Sequence, residues 1–131
     1  MRVAFVSTRG AVRGAMAESI ARKLFKDAGL RAEIFSAGVD PAERVEEDVL
    51  RVLEEKGFPT KGLRPKPLSR IPYRKIDILV ILSEEAKERC EFLPNHKRRE
   101  NWILDPPQGG IESLRRLRDQ IEELIRGLLK L

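Results

Sequence analysis

The sequence contains one cysteine and one histidine, and it lacks any long hydrophobic run. A single cysteine cannot form an internal disulfide, which predicts a reducing, cytoplasmic environment. One cysteine and one histidine cannot complete a Cys/His zinc site, and we expect neither a metal nor another cofactor. No stretch approaches about 18 consecutive apolar residues, so we expect no membrane partner. The apolar start of the chain, residues 1–6, is too short for a signal peptide.

Charge is abundant but mixed in sign. The 131 residues include 26 Lys and Arg against 21 Asp and Glu, which gives a net charge of +5. The only local basic run is residues 97–99, so we expect no nucleic-acid interface. High charge with few Asn and Gln side chains is typical of thermophile proteins. The length predicts one domain spanning residues 1–131, as a monomer or a weak dimer.

Apolar runs alternate with helical patterns along the chain. Strands are predicted at residues 2–6, 31–36, 76–82 and 102–104. Helices are predicted between a loop at 7–13 and Gly29, from Asp40 to Gly57, at 84–89 and from Ile111 onward, with an irregular proline-rich stretch at 59–75.

This alternation predicts an α/β fold. Right-handed crossovers between parallel strands give a doubly wound four-stranded parallel sheet in the order 2-1-3-4, with helices on both faces. Ser7, Ser83 and Asp105 follow strands 1, 3 and 4 in the sequence. They are therefore expected at the carboxyl edge of the sheet, where such folds bind ligands.

The loop between the first strand and the first helix has the composition of an anion-binding loop. Gly10 and Gly14 let the backbone curl, and the helix N-terminus adds partial positive charge. Arg13 supplies a planar fork that fits a tetrahedral oxyanion. The nucleotide-binding pattern Gly-x4-Gly-Lys-Ser/Thr is absent. We expect the phosphate-binding residues to be Thr8, Arg9, Gly10, Ala11, Val12, Arg13 and Gly14.

Four short motifs occur in order along the chain. They are Ser7-x5-Arg13 after the first strand, Met16-Ala17-Glu18 in the first helix, Ser36-Ala37-Gly38 at the second strand and Asp105-Pro106 after the fourth. Together they resemble the low-molecular-weight protein tyrosine phosphatases and the thioredoxin-coupled arsenate reductases that share their fold. The resemblance covers essentially the whole chain.

The resemblance implies a catalytic set of Ser7, Arg13 and Asp105. The family's nucleophilic cysteine falls on Ser7, its phosphate-binding arginine on Arg13 and its general acid on Asp105. The implied activity is phosphomonoester hydrolysis, and the implied ligands are phosphate, arsenate or phosphotyrosine-containing substrates. Because a serine hydroxyl stays protonated at neutral pH, the chain is expected to be inactive or very weak as a phosphatase.

Several alternatives stay open. A Ser7–His96–Asp105 triad can be written, although the Gly-x-Ser-x-Gly elbow is absent. Ser83 and Cys90 have the spacing of two redox cysteines of the arsenate reductase branch, but a three-thiol relay cannot run on Cys90 alone. The chain would then be a non-catalytic oxyanion- or phosphoprotein-binding relative of that branch.

Ser7 itself is either an engineered replacement of cysteine or the residue of a naturally weakened relative. In purely structural terms, Ser83 is predicted as a helix N-cap and Cys90 as a partly buried apolar residue.

Overall fold

The computed structural model describes residues 1–91 and 98–130, and every structural statement below concerns those residues. Four strands alternate with four helices: β1 Arg2–Ser7, α1 Arg13–Asp27, β2 Glu33–Gly38, α2 Glu47–Glu54, β3 Ile78–Ile81, α3 Glu84–Cys90, β4 Arg98–Asn101 and α4 Ile111–Leu129. Two short 3₁₀ helices, Leu68–Arg70 and Tyr73–Lys75, precede β3.

The four strands form one parallel sheet in the order β2-β1-β3-β4. This confirms the predicted fold class and strand order. β1 is central because every residue from Val3 to Ser7 is buried, so the strand can accept packing on both of its faces. Its pairing with β2 extends to Ser7 opposite Gly38, which brings these two residues to the carboxyl edge of the sheet.

The two faces of the sheet are covered by different helices. Val3 and Phe5 of β1 pack with apolar side chains of α1, α2 and α4 in the larger core. Ala4 and Val6, which point the other way, belong to a second core with Ala86 and Cys90 of α3. The alternation of a strand therefore distributes β1 between two cores, as expected for helices on both faces.

Several predicted elements were wrong at their boundaries, the fourth strand and the second helix most of all. The fourth strand was placed on residues 102–104, whereas β4 comprises Arg98–Asn101 and is only partly buried. A strand at the edge of a sheet needs only backbone pairing with one neighbour, so its charged residues gave no apolar signal. The apolar residues that follow belong to the core, since Leu104 is 5% exposed.

The second helix was predicted from Asp40, but α2 begins at Glu47. The N–H groups of Val39, Asp40 and Ala42 donate instead to backbone carbonyls of the loop after β1. This pairing competes with helix formation. The second strand is also shifted, to Glu33–Gly38, because its last three residues pair with the end of β1.

Within the same ranges, no helix is both long enough and apolar enough to cross a membrane.

Candidate oxyanion-binding site

The carboxyl edge of the sheet brings together the polar residues that follow β1 and β3. The hydroxyl of Thr8 lies 2.9 Å from Oγ of Ser83 and 3.0 Å from Oε2 of Glu85. Ser83 also accepts the N–H of Ala86 at 3.1 Å, which confirms it as the N-cap of α3. The predicted meeting of these strand ends at one edge is therefore found.

Ser7 is buried at the base of the loop that follows β1. Its side chain accepts the backbone N–H of Gly10 at 3.0 Å, and Ser7 is only 1% exposed. Gly10 has φ = +67°, in the left-handed region that favours glycine. This conformation turns the chain back so that its N–H points at the Ser7 hydroxyl.

Gly38 allows the loop to approach β2 closely. A Cβ atom on Gly38 would lie 2.6 Å from the carbonyl carbon of Arg9 and 2.7 Å from the nitrogen of Gly10. The segment after Gly38 then follows the loop, with Val39 N–H donating to Ser7 O at 3.0 Å and Asp40 N–H to Thr8 O at 2.8 Å. The loop is therefore fixed along its backbone from the side of β2.

A buried carboxylate holds α1 against β2 next to the loop. Glu18 is 1% exposed, and its side chain accepts the hydroxyl of Ser36 at 2.5 Å and the ammonium of Lys66 at 3.5 Å. Arg22, one turn along α1, forms an ion pair with the other oxygen of Glu18. Both Glu18 and Ser36 belong to motifs that the sequence analysis singled out, but their direct contact was not anticipated.

Arg13 stands at the start of α1, half-buried beside the loop. Its Nη1 donates to the backbone carbonyl of Leu104 at 2.9 Å. Burial lowers the pKa of the guanidinium, while the charges of Glu85 and Asp105 act in the opposite direction. Because arginine is not deprotonated in proteins, Arg13 stays cationic and keeps further N–H groups for a ligand.

A cleft of about 140 Å³ opens above the loop. It is lined by Ser7, Arg9, Gly10, Val12, Arg13, Pro106 and Pro107. Its lining combines a hydroxyl, loop backbone and a guanidinium with the two prolines after Asp105. The size and composition fit a small tetrahedral anion better than a large apolar ligand.

The side chains of the other predicted site residues have other partners or are not directed at the cleft by any contact among the described residues. Arg9 is exposed, and its Nη1 pairs with Asp40 at 2.7 Å, so its charge is shared with a carboxylate. Ala11 is buried, and the Thr8 side chain is turned toward α3. Asp105 is exposed and precedes the two prolines that line the cleft, and its charge acts on Arg13.

The residues that suggested a redox pair do not line the cleft, and the histidine of the suggested serine triad lies outside the described ranges. Cys90 is the last residue of α3 and is fully buried, more than predicted; burial raises the pKa of its thiol. Ser83 occupies the opposite end of the same helix. His96 lies outside the described residues, so the Ser7–His96–Asp105 triad stays a prediction from the sequence. No group of three His, Cys, Asp or Glu residues suited to a metal occurs in 1–91 and 98–130.

One residue of the site had no signal in the sequence analysis. Glu85 lies in the first turn of α3, where an acidic residue is expected simply for its interaction with the helix dipole. In the structure it approaches Thr8 and Arg13, and hydrogen bonds from its own backbone N–H and from Thr8 lower the pKa of its carboxyl, helped by the charge of Arg13. Only the packing of α3 beside the loop places it there.

Residues 2–131 match the family of low molecular weight phosphotyrosine protein phosphatases. The chain belongs to this family. Its relatives include both phosphatases and arsenate reductases, and members of the family bind phosphate or arsenate oxyanions.

Three similar proteins illustrate the range of the family. An arsenate reductase from Archaeoglobus fulgidus is 33% identical, with a TM-score of 0.80 and coverage of 98% of this chain and 99% of that one. A Cys-to-Ser mutant of the arginine phosphatase YwlE, with a phosphorylated active-site serine, is 25% identical, with a TM-score of 0.85 and coverage of 99% and 94%. Arsenate reductase 2 of Staphylococcus haemolyticus is 26% identical over 122 residues, covering 92% of this chain and 90% of its own.

Proposed function

We propose that this protein binds phosphate, arsenate or a phosphomonoester group in the loop of residues 8–14, and that it hydrolyses phosphomonoesters very slowly or not at all. The single observation that carries the proposal is the cleft in which the buried Ser7 hydroxyl, held by Gly10, meets the cationic Arg13. Curled backbone N–H groups, a helix N-terminus and a guanidinium are the donors that tetrahedral oxyanions prefer.

The same geometry explains why turnover should be weak. In a phosphatase reaction, the oxygen of Ser7 would form a bond to phosphorus while the bond to the leaving oxygen breaks, and Asp105 would protonate that leaving oxygen. A serine hydroxyl needs a base to remove its proton, unlike a cysteine thiolate at a helix N-terminus. Ser7 donates to no carboxylate or imidazole among the described residues.

Binding can be tested by thermal unfolding in the presence of inorganic phosphate. A ligand that binds only the folded state raises the melting temperature as its concentration increases. Arg13→Ala should abolish this rise. Arg31→Ala, an exposed arginine before β2, serves as the matched control and should retain it. An equal phosphate response in Arg13→Ala would remove Arg13 from the site.

Catalysis can be tested by restoring a thiol. Ser7→Cys should gain hydrolysis of p-nitrophenyl phosphate, and the double variant with Arg13→Ala should lose that gain. If Ser7→Cys shows no gain, replacement of the nucleophile does not explain the lack of phosphatase activity. Oxyanion binding is then the only proposed function that remains.

A second candidate function is slow phosphoryl transfer to Ser7. The solved relative with a phosphorylated active-site serine favours this possibility, because it shows that a serine in this fold can carry the phosphoryl group. Incubation with p-nitrophenyl phosphate should then add one phosphoryl group to the intact protein, with release of p-nitrophenol. Ser7→Ala should remain unmodified. An unchanged mass of the unsubstituted protein would reject this candidate without affecting binding.

A further inference from the structure

The Ser7 hydroxyl has an unused donor. Its oxygen accepts the N–H of Gly10 at 3.0 Å, but among residues 1–91 and 98–130 its proton meets no hydrogen-bond acceptor. Ser7 is 1% exposed. A hydroxyl carries one donor as well as its acceptor lone pairs, and a buried donor without a partner is destabilising.

Gly14 contributes no side chain to the space beside this hydroxyl, where the nearest other side-chain atom is the Cβ of Ser36, 3.8 Å from the position that a Gly14 Cβ would take. A Cβ atom on Gly14 would lie 2.9 Å from Ser7 Oγ. No side chain of the first turn of α1 therefore competes for the Ser7 proton. The hydroxyl lines the same cleft as Arg13, so an oxygen of a bound anion is the acceptor that this position can serve.

We infer that Ser7 donates a hydrogen bond to the bound oxyanion, and that the site therefore binds dianionic phosphate more tightly than it would with cysteine at this position. The inference rests on the proposed function, since it concerns the same loop. It gives Ser7 a positive role in binding: the residue does more than leave the nucleophile position empty.

The physical reason is the difference in charge between a hydroxyl and a thiolate. An O–H group that donates to an anionic oxygen forms a short, charge-assisted hydrogen bond. A cysteine beside the Gly10 N–H and Arg13 would have a lowered pKa and would ionise, because both groups favour the thiolate. The thiolate would then repel a phosphate dianion instead of donating to it.

The charged groups near the loop are the same whether residue 7 is serine or cysteine. They are Arg13 and Glu18 on α1, Arg9 in the loop, Asp40 after β2, Glu85 on α3 and Asp105 after β4. Arg13 remains protonated, and Glu18 and Asp40 face their own cationic partners. These groups therefore contribute about equally to the phosphate affinity of every variant at residue 7, and their contributions cancel when the variants are compared.

The test is the dissociation constant of inorganic phosphate, measured by titration calorimetry at about pH 5 and about pH 8, on either side of the second ionisation of phosphate. The unsubstituted protein should bind more tightly at the higher pH. Ser7→Ala should bind at least about tenfold more weakly at the higher pH, the effect of losing a hydrogen bond to a charged group. Ser7→Cys should also be weaker there, and its deficit should shrink at the lower pH, where phosphate is a monoanion and a thiolate repels it less.

Ser19→Ala is the matched control, because Ser19 is also buried but lies on α1, and its hydroxyl donates to the carbonyl of Pro59 at 2.5 Å. It should lower stability and leave phosphate affinity unchanged. Equal affinity of the unsubstituted protein, Ser7→Ala and Ser7→Cys would overturn the inference and leave the proposed function standing. Absence of phosphate binding in the unsubstituted protein would overturn both.

Discussion

The two sides of the cleft are built differently. On the rear side, Gly38, the backbone of residues 39–42 and the buried Glu18 fix the loop by close packing and hydrogen bonds. On the front side, Asp105 is exposed. The segment of residues 104–107 is held beside the loop by the hydrogen bond from Arg13 to the carbonyl of Leu104.

This difference separates what binding requires from what turnover requires. The rear side shapes the backbone N–H groups that would hold an oxyanion: Glu18 and Gly38 are buried there, and residues 39, 40 and 42 donate backbone hydrogen bonds to residues 7–9. The front side carries Asp105, which only the proposed chemical step would use, as a general acid. Together with a serine at residue 7, this contrast supports the proposal that the site binds an anion without turning it over.

The largest expected effect comes from closing the gap on the rear side with Gly38→Ala. The added methyl group would meet backbone atoms of Arg9 and Gly10 at 2.6–2.7 Å, and backbone cannot rotate away as a side chain can. We expect a loss of about 3 kcal/mol in the free energy of unfolding, with loss of phosphate binding. Chemical denaturation and phosphate titration measure the two effects.

Gly127→Ala is the control for this change, because Gly127 lies within α4 and an added Cβ atom meets nothing within 4 Å. It should stabilise the protein by about 0.5–1 kcal/mol through helix propensity. Full phosphate binding in Gly38→Ala would contradict the account of the rear side.

A smaller effect is expected from Glu18→Gln. The substitution keeps the size of the side chain but removes the charge that Ser36, Arg22 and Lys66 share. Hydrogen bonds to charged groups contribute more than neutral ones, so we expect a loss of about 2 kcal/mol. Glu54→Gln, at an exposed glutamate that accepts a hydrogen bond from Thr60, should have much less effect in the same denaturation experiment.

The coupling between Gly14 and Ser7 should be smaller again. Gly14→Ala places a Cβ atom 2.9 Å from Ser7 Oγ and would push the hydroxyl away from the Gly10 N–H. In a Ser7→Ala background this obstacle is gone, and the same substitution should become neutral or stabilising. We expect a coupling free energy of about 1 kcal/mol from the double-mutant cycle. Additive effects would show that the two residues do not interfere.

The smallest effect is expected on the front side, from Asp105→Asn. Because Asp105 is exposed, the free energy of unfolding should change by less than about 0.5 kcal/mol. Phosphate affinity should stay equal or rise slightly, since a negative charge near Arg13 is removed. In a Ser7→Cys background, the same substitution should reduce p-nitrophenyl phosphate hydrolysis. A marked loss of phosphate affinity would show that the front side also contributes to binding.

Much of this arrangement was predictable from the sequence, but some boundaries were not. The order of the strands followed from alternating apolar runs, and the loop followed from its glycines and Arg13. β4 was misplaced because an edge strand of charged residues lacks the apolar pattern of β3. α2 was extended too far because the pairing of residues 39–42 with the loop involves backbone atoms, which leave no trace in residue type.

The sequence by itself determined the kind of site to expect, because a buried strand, a glycine loop, Arg13 and a helix start together predict anion-binding groups at one sheet edge. It also determined that the nucleophile position carries a hydroxyl. Only the tertiary structure decided which groups surround that hydroxyl. The Ser7 oxygen accepts the N–H of Gly10, three residues along the chain. The space around the Ser7 hydroxyl proton depends on Gly14, on β2 and on the cleft that Ser7 lines. Such contacts between distant segments depend on packing, and the identities of the residues alone do not specify them.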